Sequence, residues 1–277
     1  IGNGEVIENS TIIIEGEKIV AIGPSDLVIV NQERGKTYDL RGKHIYPSFI
    51  LPNTTLGLVE IDAVRATRDE RETGDLNPNV RSQIAYNTES IVSSTVRTNG
   101  ILIAQITPRG GLISGTSSLM KLDGWNWEDA TYLKDDGIHL NWPELHDFHY
   151  HGHSHVFTAS DNSDENEEKA DILKSLSTLR SLFNEAKKYP KIKNKNIDLR
   201  LQSLQDLFNG NKTLYIHVNG ANGIKESVLF AKKNNVKKIV LVGASESWRV
   251  TDFISSNNIP VILGRLHSLP NYAEDDI

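Results

Sequence analysis

Short β-branched runs open the chain. Val6-Ile7, Thr11-Ile12-Ile13-Ile14 and Ile19-Val20-Ala21-Ile22 are separated by Glu8-Asn9-Ser10 and Glu15-Gly16-Glu17-Lys18, which is the pattern of hairpins joined by tight turns. It predicts a small β layer over residues 1–45, with Ile1-Gly2-Asn3-Gly4 read as the tail of an earlier strand whose partner lies outside the sequence. From Gly42 to Gly57 the pattern changes. Pro47 blocks helix entry and the apolar run Phe49-Ile50-Leu51 is too short for a helix, so the stretch reads as a buried strand opening into a loop.

Beyond this strand, helical and strand periods alternate. Ile91, Val92, Thr95 and Val96 share one helical face, Asn99-Gly100 supplies a left-handed stop, and Ile101-Leu102-Ile103-Ala104 reads as a second buried strand. Ile172, Leu173, Leu176, Leu179, Leu182, Phe183 and Ala186 predict an amphipathic helix, and Leu199 to Phe208 a second one. From Thr213 the order is regular: strand 213–217, helix 223–233, strand 238–243, helix 247–255, strand 259–264. Short loops between such elements imply parallel pairing through right-handed crossovers.

Composition removes several function classes. The 277 residues carry a net charge of −6 with both signs intermixed, so no basic face is expected for nucleic acid. There is no Cys, which excludes disulfides, thiolate metal sites and Cys nucleophiles. No apolar run reaches the roughly 18 residues of a membrane span, and no signal peptide is read at the start, so cytoplasm and periplasm are equally expected.

Three stretches carry candidate chemistry. Residues 108–124, rich in Gly, Ser and Thr from Pro108 to Ser118, read as a loop, either a plain turn or a phosphate cradle, although no Lys follows the last Gly as a P-loop requires. His149, His151, His153 and His155 alternate behind His146, and in extended chain they would share one face and grip a transition metal. The acidic stretch from Ser160 to Lys169 that follows favours a solvated loop instead. His217 ends an apolar strand and is expected at a rim; Glu246 opens a helix, where it is either a metal ligand or base, or a first-turn carboxylate.

Ile19-Val20-Ala21-Ile22-Gly23, Tyr38-Asp39-Leu40-Arg41-Gly42-Lys43 and Tyr46-Pro47-Ser48-Phe49-Ile50 resemble the entry segment of the amidohydrolase superfamily, its imidazolonepropionase-like members above all. The likeness extends over residues 1–57, about 100–124 and about 210–265. It implies an α/β chain: an incomplete (β/α)8 TIM-type barrel with a small N-terminal β-sandwich-like layer. The domains would be 1–45 and 46–277, with a loop and helical insertion or lid at about 145–208.

The resemblance also sets expectations for the site. In that family the first barrel strand carries a His-x-His pair that binds a catalytic metal; here those positions are Asn53 and Thr55, and the Asp before them is Leu51. Leu214 to Asn219 is similar to the fifth-strand segment, where the His is a ligand, so His217 is the expected metal residue. Glu246 is the candidate catalytic carboxylate, and Asn53, Thr55 and Arg265 are the candidate substrate-binding groups. The implied activity is metal-assisted water attack, with Zn²⁺ or no metal at all, on the C–N bond of a small-molecule or peptide amide. The alternatives are a barrel without activity that binds a ligand or partner, and a metal-independent hydrolase. The rest of the barrel would come from further sequence or another chain.

Overall fold

Around Gly16 the chain turns back on itself, and β1 (Ser10–Glu15) pairs antiparallel with β2 (Lys18–Pro24), Ile12 opposite Ile22. This hairpin belongs to the first of two compact units, Ile1–Phe49 and Ile50–Ile277. The computed structural model describes residues 4–30, 35–144, 162–191 and 196–264.

The second unit is built on a seven-stranded sheet whose spatial order follows the chain: β3 (Phe49–Thr54), β4 (Ile101–Ile106), β5 (Ile113–Lys121), β6 (Thr131–Asn141), β7 (Thr213–Val218), β8 (Ile239–Gly243) and β9 (Val261–Leu263). From β6 to β9 the pairing is parallel, with Asn141 beside His217 and Val218 beside Gly243. A cavity of about 310 Å³ is lined at once by Ile50 and Pro52 of β3, Ile262 of β9, and Gln105, Leu119, Asp136 and Tyr215 between them. Edge strands that border one interior make the sheet barrel-like and nearly closed.

The helices are α1 (Ile91–Arg97), α2 (Trp127–Ala130), α3 (Asn162–Lys188), α4 (Leu199–Ser203), α5 (Gln205–Asn209), α6 (Ala221–Lys233) and α7 (Thr251–Ser256). Side chains alternate across a strand, and Ile138, Leu140, Leu214, Ile216 and Val218 pack in one cluster with Leu179 and Phe183 of α3, Leu207 of α5, and Ile224 and Val228 of α6. Each fully buried side chain of this kind contributes roughly 1.5–3 kcal/mol. The helical part of the segment 145–208 is thus a packed layer of the core, because its apolar face is the one that covers β6 and β7. A second cluster joins Leu56, Leu58, Tyr86, Ala104, Ile106 and Met120.

The structure departs from the sequence reading at the Gly/Ser/Thr-rich stretch, where the pattern predicts a loop over 108–124. Residues 113–121 are instead β5, antiparallel to both β4 and β6, so the sheet is mixed. Ser114, Thr116, Ser117 and Ser118 are buried, and their hydroxyls find partners inside the protein: Thr116 donates to Pro78 O at 2.8 Å and Ser118 to Gln83 Oε1 at 2.8 Å. Buried polar groups are tolerated when hydrogen-bonded, so a hydroxyl-rich sequence can form an interior strand.

Candidate active site

The alternation that sends apolar residues out to the helices sends polar ones inward. Gln105 of β4, Ser117 of β5, His139 of β6, and Tyr215 and His217 of β7 meet inside the sheet. Tyr215 stacks on His139 with ring centres 4.7 Å apart and planes 9° apart. Gly137 makes room for it, since a Cβ there would stand 2.3 Å from the Tyr215 ring.

These side chains form one continuous path. Asp136 accepts from Ser117 Oγ at 2.7 Å, from Gln105 Nε2 at 2.8 Å and from Tyr215 Oη at 2.9 Å. His139 Nε2 lies 2.8 Å from Ser117 Oγ, and His139 Nδ1 lies 2.8 Å from His217 Nε2. Because the Ser117 proton goes to Asp136, its oxygen accepts from His139 Nε2–H. His139 Nδ1 then accepts from His217 Nε2–H. Every donor therefore faces Asp136, and His217 Nδ1 is left with its lone pair at the far end.

Burial first, then the charge of Arg109, pushes His217 down to about 4. Burial, His217 and Arg109, in that order, hold His139 well below the usual imidazole range. Both rings are neutral at pH 7. Tyr215 is pushed up, mainly by burial and next by the Asp136 charge.

Asn53 closes the other side. It sits near the end of β3 with φ of +50°, the left-handed region that Asn enters more readily than most residues bearing a Cβ. Its N–H donates to Gln105 Oε1 at 3.0 Å, while Arg109 donates from Nη1 to Asn53 Oδ1 at 2.6 Å and from Nη2 to Asn53 O at 2.7 Å. Asn53 is thereby the bridge between Arg109 and the Asp136 network.

Of the residues the sequence singles out, the structure brings Asn53 and His217 into this one network. Thr55 follows β3, its carbonyl accepting from Leu58 N–H at 2.8 Å. Glu246 takes a different part: its carboxylate accepts from Ala221 N–H at 2.8 Å, at the start of α6, and lies 3.2 Å from Arg249 Nη1. Arg265 and the run His146, His149, His151, His153 and His155 lie outside the described residues. Sequence reasoning misses His139, Ser117, Asp136, Tyr215, Gln105 and Arg109. The available signal is the stretch Asp136-Gly137-Ile138-His139-Leu140-Asn141, which alternates as Leu214-Tyr215-Ile216-His217 does.

The donors of this network, among the described residues, do not fit a divalent ion. Among the described residues no three His, Asp or Glu side chains converge as a ligand set, and the two imidazoles bond to each other. Asn53 Oδ1, at the expected first-strand ligand position, already holds a guanidinium. A resident cation there repels a second one.

No family model matches the chain, and no curated protein matches it. Among solved structures, an amidohydrolase from Thermotoga maritima MSB8 has a similar fold, with a TM-score of 0.75 and 16% sequence identity over 92% of this chain and 65% of that one. The chain thus spans just under two thirds of that protein's length.

Proposed function

We propose that this chain is a hydrolase of the amidohydrolase type, acting on the C–N bond of small-molecule or peptide amides with His217 as the group that activates water. The observation that carries this is the unbroken path from His217 Nδ1 to Asp136. Water gives a proton to His217 Nδ1 as its oxygen attacks the amide carbon, and the carbonyl pair moves onto oxygen. The Nε2 proton of His217 passes to His139 Nδ1, that of His139 passes to Ser117 Oγ, and that of Ser117 passes to Asp136. A proton retained on His217 alone is disfavoured beside Arg109; delivered to Asp136, its charge is neutralised. When the tetrahedral species collapses and the C–N bond breaks, the same path returns the proton to the leaving nitrogen.

In this reading the barrel-like sheet is the larger part of a (β/α)8 TIM-type barrel, imidazolonepropionase-like with altered metal-ligand positions. Asn53, Thr55 and Arg265 contact substrate. Further strands pair at β3 and β9, the two edges of the sheet, from additional sequence or another chain. A second reading, a ligand-binding barrel without activity, is favoured by the Arg109–Asn53 contact, which fills the position where the family carries a metal ligand.

The test is hydrolysis of a panel of N-acyl amino acids, dipeptides and cyclic amides, with metal content measured before and after chelation. Turnover that survives chelation and falls by about a hundredfold or more in His217→Ala supports the relay. Turnover lost on chelation and restored by Zn²⁺ replaces it with metal chemistry. No turnover on any substrate leaves the ligand-binding reading.

A further inference from the structure

We propose that Arg109 is the receptor for a carboxylate on the molecule this site takes, so that its ligands are amides or amide analogues bearing an acid group. This deepens the hydrolase reading by naming the substrate's second functional group, and it stands equally if the barrel only binds.

Arg109 is partly buried, yet among the described residues no carboxylate lies within ion-pair distance of it, and its one strong partner is the neutral Asn53. A guanidinium carries five N–H donors. Two are used on Asn53, which leaves Nε–H and the second hydrogen of each Nη for an incoming acceptor. Burial is the cause acting on Arg109's pKa, and no carboxylate offsets it by pulling the other way. A desolvated cation with unspent donors binds an anion strongly, and the planar fork matches a carboxylate.

Arg71 pairs through its backbone with Arg109, and its side chain lies over Gly110. A Cβ on Gly110 would stand 2.7 Å from Arg71 Nε, and φ there is +83°. Glycine is therefore needed at this position on two counts, and its absence of a side chain leaves room for the exposed Arg71 side chain. The nearby Glu70 is paired with Arg68 at 2.8 Å and also feels the charge of Arg71.

The side chains also argue for a carboxylate over other anions. Asn53 holds one hydrogen of each Nη, so Nε–H and a neighbouring Nη–H are left as one edge of the guanidinium, which suits two coplanar oxygens.

The experiment is calorimetric titration of the whole protein with N-acetylglycine, N-acetylglycinamide and inorganic phosphate at low and high salt. Binding of the acid, about tenfold or more weaker for the carboxamide, weakened by salt and lost in Arg109→Gln, is the expected result. Arg109→Lys, which keeps the charge and loses the fork, should bind the acid more weakly than the native protein. Circular dichroism of each variant separates loss of binding from loss of fold. Equal binding of acid and carboxamide, no binding of either, phosphate binding more tightly than the acid, or a folded Arg109→Gln that binds normally overturns the assignment. Absence of hydrolysis with carboxylate binding intact would remove the hydrolase reading and leave this one standing.

Discussion

His139 and His217 lie on neighbouring parallel strands two residues out of register, and their facing ring nitrogens are 2.8 Å apart. Because His139 pairs across the ladder with Tyr215 and Asn141 with His217, the two imidazoles meet on the diagonal. That geometry lets one ring donate to the next while Ser117 and Asp136 orient the first. Four groups from three strands then hold a single protonation pattern.

The pattern makes stability depend on pH. His217 is held at about 4, chiefly by burial and then by Arg109, against an ordinary value of 6.5. Between these values the unfolded chain takes up a proton that the folded chain refuses. The stabilisation is therefore complete above about pH 6.5 and is lost as pH falls toward 4, to an extent of about 3 kcal/mol from this residue. Urea midpoints at pH 7.5 and pH 4.5 should separate strongly in the native protein and less in His217→Gln. An identical separation in both would show that the ring does not resist protonation.

Ser117→Ala removes the link between His139 and Asp136 and leaves two buried polar groups short of a partner. The expected cost is about 1–3 kcal/mol of stability, with hydrolysis reduced by more than the stability loss explains. Asp136→Asn keeps the shape and removes the charge. In that variant Tyr215 should ionise at lower pH than in the native protein, since the Asp136 charge contributes to its upward shift. Ultraviolet titration of the phenolates reads this, and an unmoved titration curve would argue against Asp136 as the charged end of the path.

The sequence makes the outer face of the sheet legible and hides the inner one. Leu214, Ile216, Leu241 and the helix stripes through Leu179 and Phe183 announce themselves by period, and the strands and helices from Thr213 to Leu263 sit where that period puts them. The inward residues are polar, and polar residues in a short segment read as turn or solvent-facing chain. Ser117 therefore falls in an expected loop, and Asp136 and His139 in a stretch to which no element is assigned. Burying them is possible only because each finds a partner from a distant strand, which a local pattern does not display. Glu246 shows the opposite case. Its position before a helix is visible in the sequence, and the structure puts its carboxylate on the Ala221 amide at the start of α6 and near Arg249.

Phe183 tests whether α3 is part of the core. It is fully buried and meets Phe230 edge-on with ring centres 5.1 Å apart, and Phe208 at 6.2 Å. Phe183→Ala should destabilise the fold by about 3–5 kcal/mol through lost burial and the cavity left behind. A drop in the urea midpoint at unchanged slope is the expected reading. A loss below about 1 kcal/mol would mean that the helix can separate from β6 and β7 without unfolding them.

The last prediction concerns Arg109 as a barrier to a metal at Asn53. Replacing Asn53 and Thr55 with His sets an imidazole pair at the end of β3, yet the imidazole introduced in place of Asn53 would stand where Arg109 now donates to Asn53 Oδ1 at 2.6 Å. Two cations a few ångströms apart repel by about 4 kcal/mol or more in a partly buried setting. The double variant Asn53→His, Thr55→His should therefore take up little Zn²⁺, and adding Arg109→Gln should raise its affinity by about a hundredfold or more. Zinc titration followed by calorimetry, with circular dichroism to confirm the fold, distinguishes the two. Equal zinc binding with and without Arg109 would show that the ligand set alone, and not the resident guanidinium, decides whether a metal is held.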